Sequence, residues 1–119
     1  MSAPDKPLEE YESVQTWYRG LREQSGIDPT QDRSRLDLLR EFCTALDLDP
    51  DALVAACLLK KEGRETKISV KGRRSMGERI AEFQSRDASA DSRERARRGN
   101  TVRSFLIHNG ILLQSGIQI

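Results

Sequence analysis

The chain has 119 residues, 33% of them charged and 36% hydrophobic, with a net charge of +1. That length suits one domain able to bury a core without a disulfide or metal staple, and no apolar run of 18 or more residues is present to span a membrane. MSAPDKPLEE lacks the charged-then-apolar layout of a signal peptide; one histidine disfavours a metal site, and Cys43 and Cys57 are expected as reduced core thiols of a cytoplasmic protein rather than a disulfide or metal pair.

Residues 1–7 hold two prolines and little to bury, so a frayed tail is expected. From Leu8 the pattern turns helical. Tyr11, Val14, Tyr18 and Leu21 recur at three- and four-residue steps, with Trp17 beside them. Glu9, Glu10 and Glu12 suit a first turn, where the helix dipole favours acids, and Gly26 closes the segment. Asp28-Pro29-Thr30 reads as the start of a second helix, with Asp28 or Thr30 capping it and Pro29 where its missing N–H costs nothing. Leu36, Leu39, Phe42, Cys43 and Leu46 form the apolar stripe, and Arg33, Asp37, Arg40 and Thr44 lie opposite. Asp49-Pro50-Asp51 starts a third helix whose apolar positions are Leu53, Val54, Cys57 and Leu58. The residues after the two Asp-Pro pairs do not match, so no internal repeat is inferred.

KKEGRETKISVKGRRS, residues 60–75, is punctuated by Gly63 and Gly72 and reads as a basic connecting loop; its alternating fragment KISVK is short for a strand. Met76, Ile80 and Phe83 mark a fourth helix. RDASADS, residues 86–92, is a turn with Ser89 as the expected cap, and a fifth helix runs to about Asn109, ended by Gly110. No strand pair with hairpin chemistry is visible. The expected fold is an all-α, compact bundle of four to five short helices.

Net charge conceals a partition. Residues 1–59 carry 6 basic and 12 acidic side chains, net −6; residues 60–103 carry 14 basic and 7 acidic, net +7; residues 104–119 carry neither. The split points to an acidic partner for the second half, or else to a solvated surface with internal pairing.

GNTVRSFLIHNGI, residues 99–111, follows the basic run RERARR. At about 100° per residue, with Val102 at the centre of the buried side, Phe105, Leu106 and Gly99 fall beside it. Glycine inside a helix costs about 1 kcal/mol against alanine, and a close helix crossing would explain it. Arg93, Arg97, Asn100 and Ser104 fall opposite, with Thr101 and His108 at the flank. Such side chains reach phosphates and base edges, so this face has the layout of a major-groove helix; the plain alternative is a solvated face. Arg95 and Arg98 fall on the Val102 side, so either the helix overruns the core or their stems snorkel.

TVRSFLIHNGI resembles the end of the N-terminal core-binding domain of tyrosine recombinases of the phage-integrase type. Further blocks are similar in the same order. VQTWYRGLREQSGIDPT resembles the family's first helix and the following loop, RLDLLREFCTALDLDPDAL its second helix and the start of its third, and RIAEFQ the short helix before the last. The similarity covers residues 11–113. It implies an orthogonal helical bundle of the SAM-like type, spanning residues 8–110, that clamps duplex DNA at a recombination half-site. Residues 111–119 would begin the linker to a catalytic domain. Two helices would face the major groove: the second, through Arg33, Arg40 and Thr44, and the last, through Arg93, Arg97, Asn100 and Thr101. Lys67, Lys71, Arg73 and Arg74 would follow the backbone, and Arg103, at the edge of the core stripe, would be structural or phosphate-facing. Asp37 shares a face with Arg33 and Arg40, so the loop and last helix carry more of the expected contact.

The family's tyrosine nucleophile and charge-stabilising arginines belong to a separate domain. Tyr11 and Tyr18 lie on an apolar helix face, so no catalysis, cofactor or small-molecule substrate is expected of this chain. The expected partners are double-stranded DNA and other recombinase copies. A helical protein-interaction module is the main alternative, its acidic and basic halves serving docking between copies or partners. A helix-turn-helix regulator is a further one, weakened by the lack of a tight two-helix pair with a short glycine turn. No metal set, glycine-rich phosphate loop or nucleophile–base pair marks an enzyme.

Overall fold

Capping chemistry decides where the helices begin. The computed structural model describes residues 4–26, 28–31, 33–59, 67–86 and 90–111. The segment expected to be helical from Leu8 is instead a 3-10 turn, Leu8–Glu10, broken by extended backbone at Tyr11, after which helix α1 spans Glu12–Ser25. Residues before the turn pack back on it: the Tyr11 hydroxyl donates to Asp5 Oδ1 at 3.3 Å, and Lys6 Nζ sits 4.5 Å from the Tyr11 ring centre.

The second helix starts later than its Asp-Pro signal. Asp28 Oδ1 accepts from the Thr30 amide at 3.0 Å and the Thr30 hydroxyl at 2.8 Å. That local bond closes a 3-10 turn at Pro29–Gln31, and α2 spans Ser34–Leu46 with Arg33 at its N-cap position. Helix α3, Pro50–Ala56, follows its signal: Asp49 Oδ1 accepts from the Ala52 amide at 2.7 Å and Pro50 opens the first turn.

The connecting stretch differs from the loop expected. Leu58–Leu59 (β1) and Lys67–Ile68 (β2) pair antiparallel, Leu58 opposite Ile68. Residues 60–66 lie outside the described residues. Ser69 then caps the next helix, its Oγ accepting from the Gly72 amide at 2.9 Å, so α4 spans Val70–Ser85. Lys71, Arg73 and Arg74 therefore stand on the first turns of a helix. At the next turn Asp91 is the cap, accepting from the Glu94 amide at 2.8 Å, and α5 spans Ser92–His108; Ser89 lies outside the described residues.

Among the described residues the result is a compact all-α bundle of five short helices with one two-residue strand pair. Helix α5 packs on α1, α2 and α4. Val102, Phe105 and Leu106 are fully buried there, and burial of a large aliphatic or aromatic side chain contributes about 1.5–3 kcal/mol. Trp17 meets Phe105 edge to face, ring centres 5.5 Å apart, and Phe42 meets Phe83 the same way at 5.2 Å. Ile111 is also buried in this core, while residues 112–119 lie outside the described residues. Cys43 and Cys57 are unpaired and buried, and burial pushes their thiols up to about 12 and about 11. No described helix is long and apolar enough to cross a membrane.

Candidate nucleic-acid interface

Helix α5 has two faces, as its sequence predicts. Arg98, Gly99, Val102, Arg103, Phe105 and Leu106 are buried, and Arg93, Arg97 and Asn100 are exposed. Three residues expected on the outer face do other work. Ser104 Oγ accepts from the Trp17 indole nitrogen at 3.1 Å, which ties α5 to α1. His108 packs its ring against Gly20 of α1, with Nδ1 2.8 Å from the Ser104 carbonyl; a carbonyl only accepts, so Nδ1 carries the proton there. Thr101 is half-buried, and its hydroxyl donates to the Arg97 carbonyl at 2.8 Å, which leaves it no donor for a phosphate. The helix ends on Asn109, whose amide donates to the Ser13 carbonyl at 3.0 Å and the Phe105 carbonyl at 2.9 Å. Asn109 thereby ties the end of α5 to the start of α1.

Two side-chain contacts seat α5 on α2. The Arg97 guanidinium donates to Ser34 Oγ, and Arg98 pairs with Glu41 at 3.3 Å. Arg97 therefore lies at the first turn of α2, on Ser34, the residue after Arg33 at its cap. Arg33 and Arg97 have carboxylates nearby, Glu9 at 3.6 Å and Glu94 at 3.5 Å; such exposed pairs hold little free energy and exchange readily for another anion. Arg40, Thr44 and Arg93 are exposed. Among the described residues neither Arg40 nor Arg93 has an ion pair.

The α4 arginines stand at the other end of α2. Ala45, Leu46 and Leu48 face Gly72, Ser75 and Met76 across a cleft of about 340 Å³. Lys71 and Arg74 are exposed and Arg73 is half-buried beside Cys57, whose thiol its charge favours in the ionised form. Lys67 contributes its backbone to β2; its side chain lies outside the described residues. Arg97 meets the first turn of α2, whereas Gly72, Ser75 and Met76 of α4 face its last turn across the cleft. A 13-residue helix is about 20 Å long, so the candidate residues of α5 and α4 do not form one patch.

The two inward arginines of α5 differ. Arg98 stacks its guanidinium 4.2 Å from the Phe83 ring centre, donates to the Phe83 carbonyl at 3.4 Å and reaches Glu41; it neither overruns the core nor snorkels free of it. Arg103 is 9% exposed, and donates to Asn100 Oδ1 at 3.0 Å and to Gln84 Oε1. Burial holds its pKa below the usual arginine value. Sequence periodicity marked Arg103 as an edge residue but had no signal for Gln84, which sits on α4 and meets α5 only in three dimensions.

Tyr11 and Tyr18 are each 5% exposed, and burial pushes the Tyr11 phenol up. Among the described residues no group of three or more His, Cys, Asp or Glu side chains is placed to hold a metal ion. Searches of family models, curated proteins and solved structures find no match to this chain.

Proposed function

We propose that this domain binds duplex DNA as the helical clamp of a tyrosine recombinase-like protein, with a SAM-like core-binding architecture. The observation that carries the reading is the junction of α5 with α2. The Arg97–Ser34 contact joins the arginine-rich half of α5 to the cap of α2, so Arg33, Arg93 and Arg97 share one edge of the bundle. The basic first turns of α4 lie about 20 Å away along α2. That spacing exceeds the roughly 12 Å width of a major groove, so the two basic ends suit phosphates on its two sides while α2 and α5 lie toward the groove. The order of sequence motifs and the +7 charge of residues 60–103 support the same reading. Strand cleavage is not assigned to this chain: Tyr11 and Tyr18 are core residues, and a phenol that burial holds protonated is a poor nucleophile.

The test is titration of a random 20-base-pair duplex at several salt concentrations, read by anisotropy and by amide shifts. Neutralising about five phosphates gives a slope of about −4.5 in log K against log salt. Shifts are expected in α5 from Arg93 to Asn100 and in α4 from Lys71 to Arg74, and Arg93→Ala with Arg97→Ala should weaken binding and flatten the slope by about 2. Binding indifferent to salt and to these substitutions would overturn the reading. Concentration-dependent self-association without DNA affinity would favour a protein-interaction module.

A further inference from the structure

Gly99, Gln84, Arg103 and Asn100 form one linked group on the seam between α4 and α5. Arg103 bonds two side-chain amides at once, Asn100 Oδ1 at 3.0 Å and Gln84 Oε1. A guanidinium has only donors, so both amides must turn their oxygens toward it. Asn100 is exposed; with its oxygen occupied inward, the group it offers to the outside is its NH2. Arg98 has a carboxylate at 3.3 Å, but Arg103 has none among the described residues. Among the described residues its buried charge is met by neutral acceptors. A carboxamide whose oxygen accepts from a cation has a more positive NH2 and is a stronger donor to an anion. Gly99 completes the device. A Cβ at that position would lie 1.8 Å from Gln84 Oε1 and 2.6 Å from Gln84 Cγ, so only glycine leaves Gln84 room to hold Arg103.

We propose that Arg103 is a positioning residue that presents Asn100 as an outward hydrogen-bond donor to an acceptor on duplex DNA, a phosphate oxygen or a base acceptor. This rests on the DNA-binding reading above.

The test measures duplex affinity for the wild-type protein, Asn100→Ala, Asn100→Asp, Arg103→Met and the Arg103→Met/Asn100→Ala double variant, with Arg93→Ala as a control. Asn100→Ala takes an acceptor from the buried Arg103, so urea midpoints are measured beside the affinities; the aspartate variant keeps an oxygen for Arg103 while removing the outward donor. Each Asn100 variant is expected to bind about tenfold more weakly, the size of a lost charge-assisted hydrogen bond. Arg103→Met is expected to weaken binding too, and the double variant to bind no worse than Asn100→Ala. Equal loss on all duplexes identifies a phosphate acceptor; loss confined to some sequences identifies a base. Wild-type affinity in both Asn100 variants, with Arg93→Ala weakened, overturns the inference and leaves the DNA reading standing. Additive losses overturn the positioning role. No duplex binding by the wild-type protein removes the DNA reading itself. A readout that needs no substitution is the Asn100 side-chain NH2 order parameter: a value near the rigid-backbone 0.85 is expected, and one below about 0.6 shows a freely turning amide and overturns the inference.

Discussion

Gly99→Ala should destabilise this protein, although alanine is the better helix former. At an unconstrained interior position the change gains about 1 kcal/mol. Here the new Cβ would fall 1.8 Å from Gln84 Oε1, 2.2 Å from Cδ and 2.6 Å from Cγ. Because Cγ is among the atoms struck, turning the amide does not relieve the clash; the whole side chain must leave the seam. Its departure breaks the Arg103–Gln84 hydrogen bond, a contact to a charged group worth about 1.5–3 kcal/mol, and leaves the Arg103 guanidinium with Asn100 as its remaining side-chain acceptor. The loss exceeds the gain, for a net destabilisation of about 0.5–2 kcal/mol. At about 4 °C per kcal/mol for a domain of this size, Tm falls by about 2–8 °C. Thermal and urea unfolding of the wild-type protein, Gly99→Ala, Gln84→Ala and the double variant measures the cycle. With Gln84 shortened the clash disappears, so the same Gly99→Ala change should then stabilise by about 0.5–1 kcal/mol. If Gly99→Ala stabilises the protein with Gln84 in place, Gln84 does not lie against Gly99 and does not hold Arg103.

Gly72→Ala should cost more, about 2 kcal/mol or above in urea unfolding, because its Cβ would lie 2.2 Å from the Ala56 carbonyl oxygen, a backbone atom that moves only if α3 and α4 part. Arg98→Met keeps the stem but loses the Phe83 stacking at 4.2 Å and the Glu41 pair, for about 1–2 kcal/mol; Glu41→Gln should cost about 0.5 kcal/mol, since that carboxylate is 52% exposed. The cysteines predict an alkaline limit. Their folded values, about 12 for Cys43 and about 11 for Cys57, lie above the roughly 8.5 of an unfolded thiol. Stability from this source is thus complete below about pH 8.5 and declines as pH rises toward those folded values. Urea midpoints should fall between pH 8 and 10, and native-state thiol labelling should be slow at pH 8; fast labelling of the folded protein would contradict the burial of both thiols.

The sequence by itself determined the helical class, most of the buried stripe of each long helix, though not Leu38 of α2, and the inward turn of Gly99. It did so because 3.6-residue periodicity and the Asp49-Pro50 start are local, and α3 begins where they say. Local signals were less decisive where two could compete. Asp28 spent its acceptor on Thr30 and closed a turn, delaying α2 to Ser34. Ser69 capped α4 well before the first buried position at Met76, which put Lys71, Arg73 and Arg74 on a helix. The tertiary structure alone decided which polar side chains stay free. On a wheel Arg97, Ser104 and His108 look alike, yet Arg97 edges onto α2 while Ser104 and His108 are taken up by α1. A helix wheel separates inward from outward but does not say which neighbour lies alongside. That is set by how α1, α2 and α4 wrap α5, and it is also what brings Gln84 to Gly99 and Arg103 to Asn100.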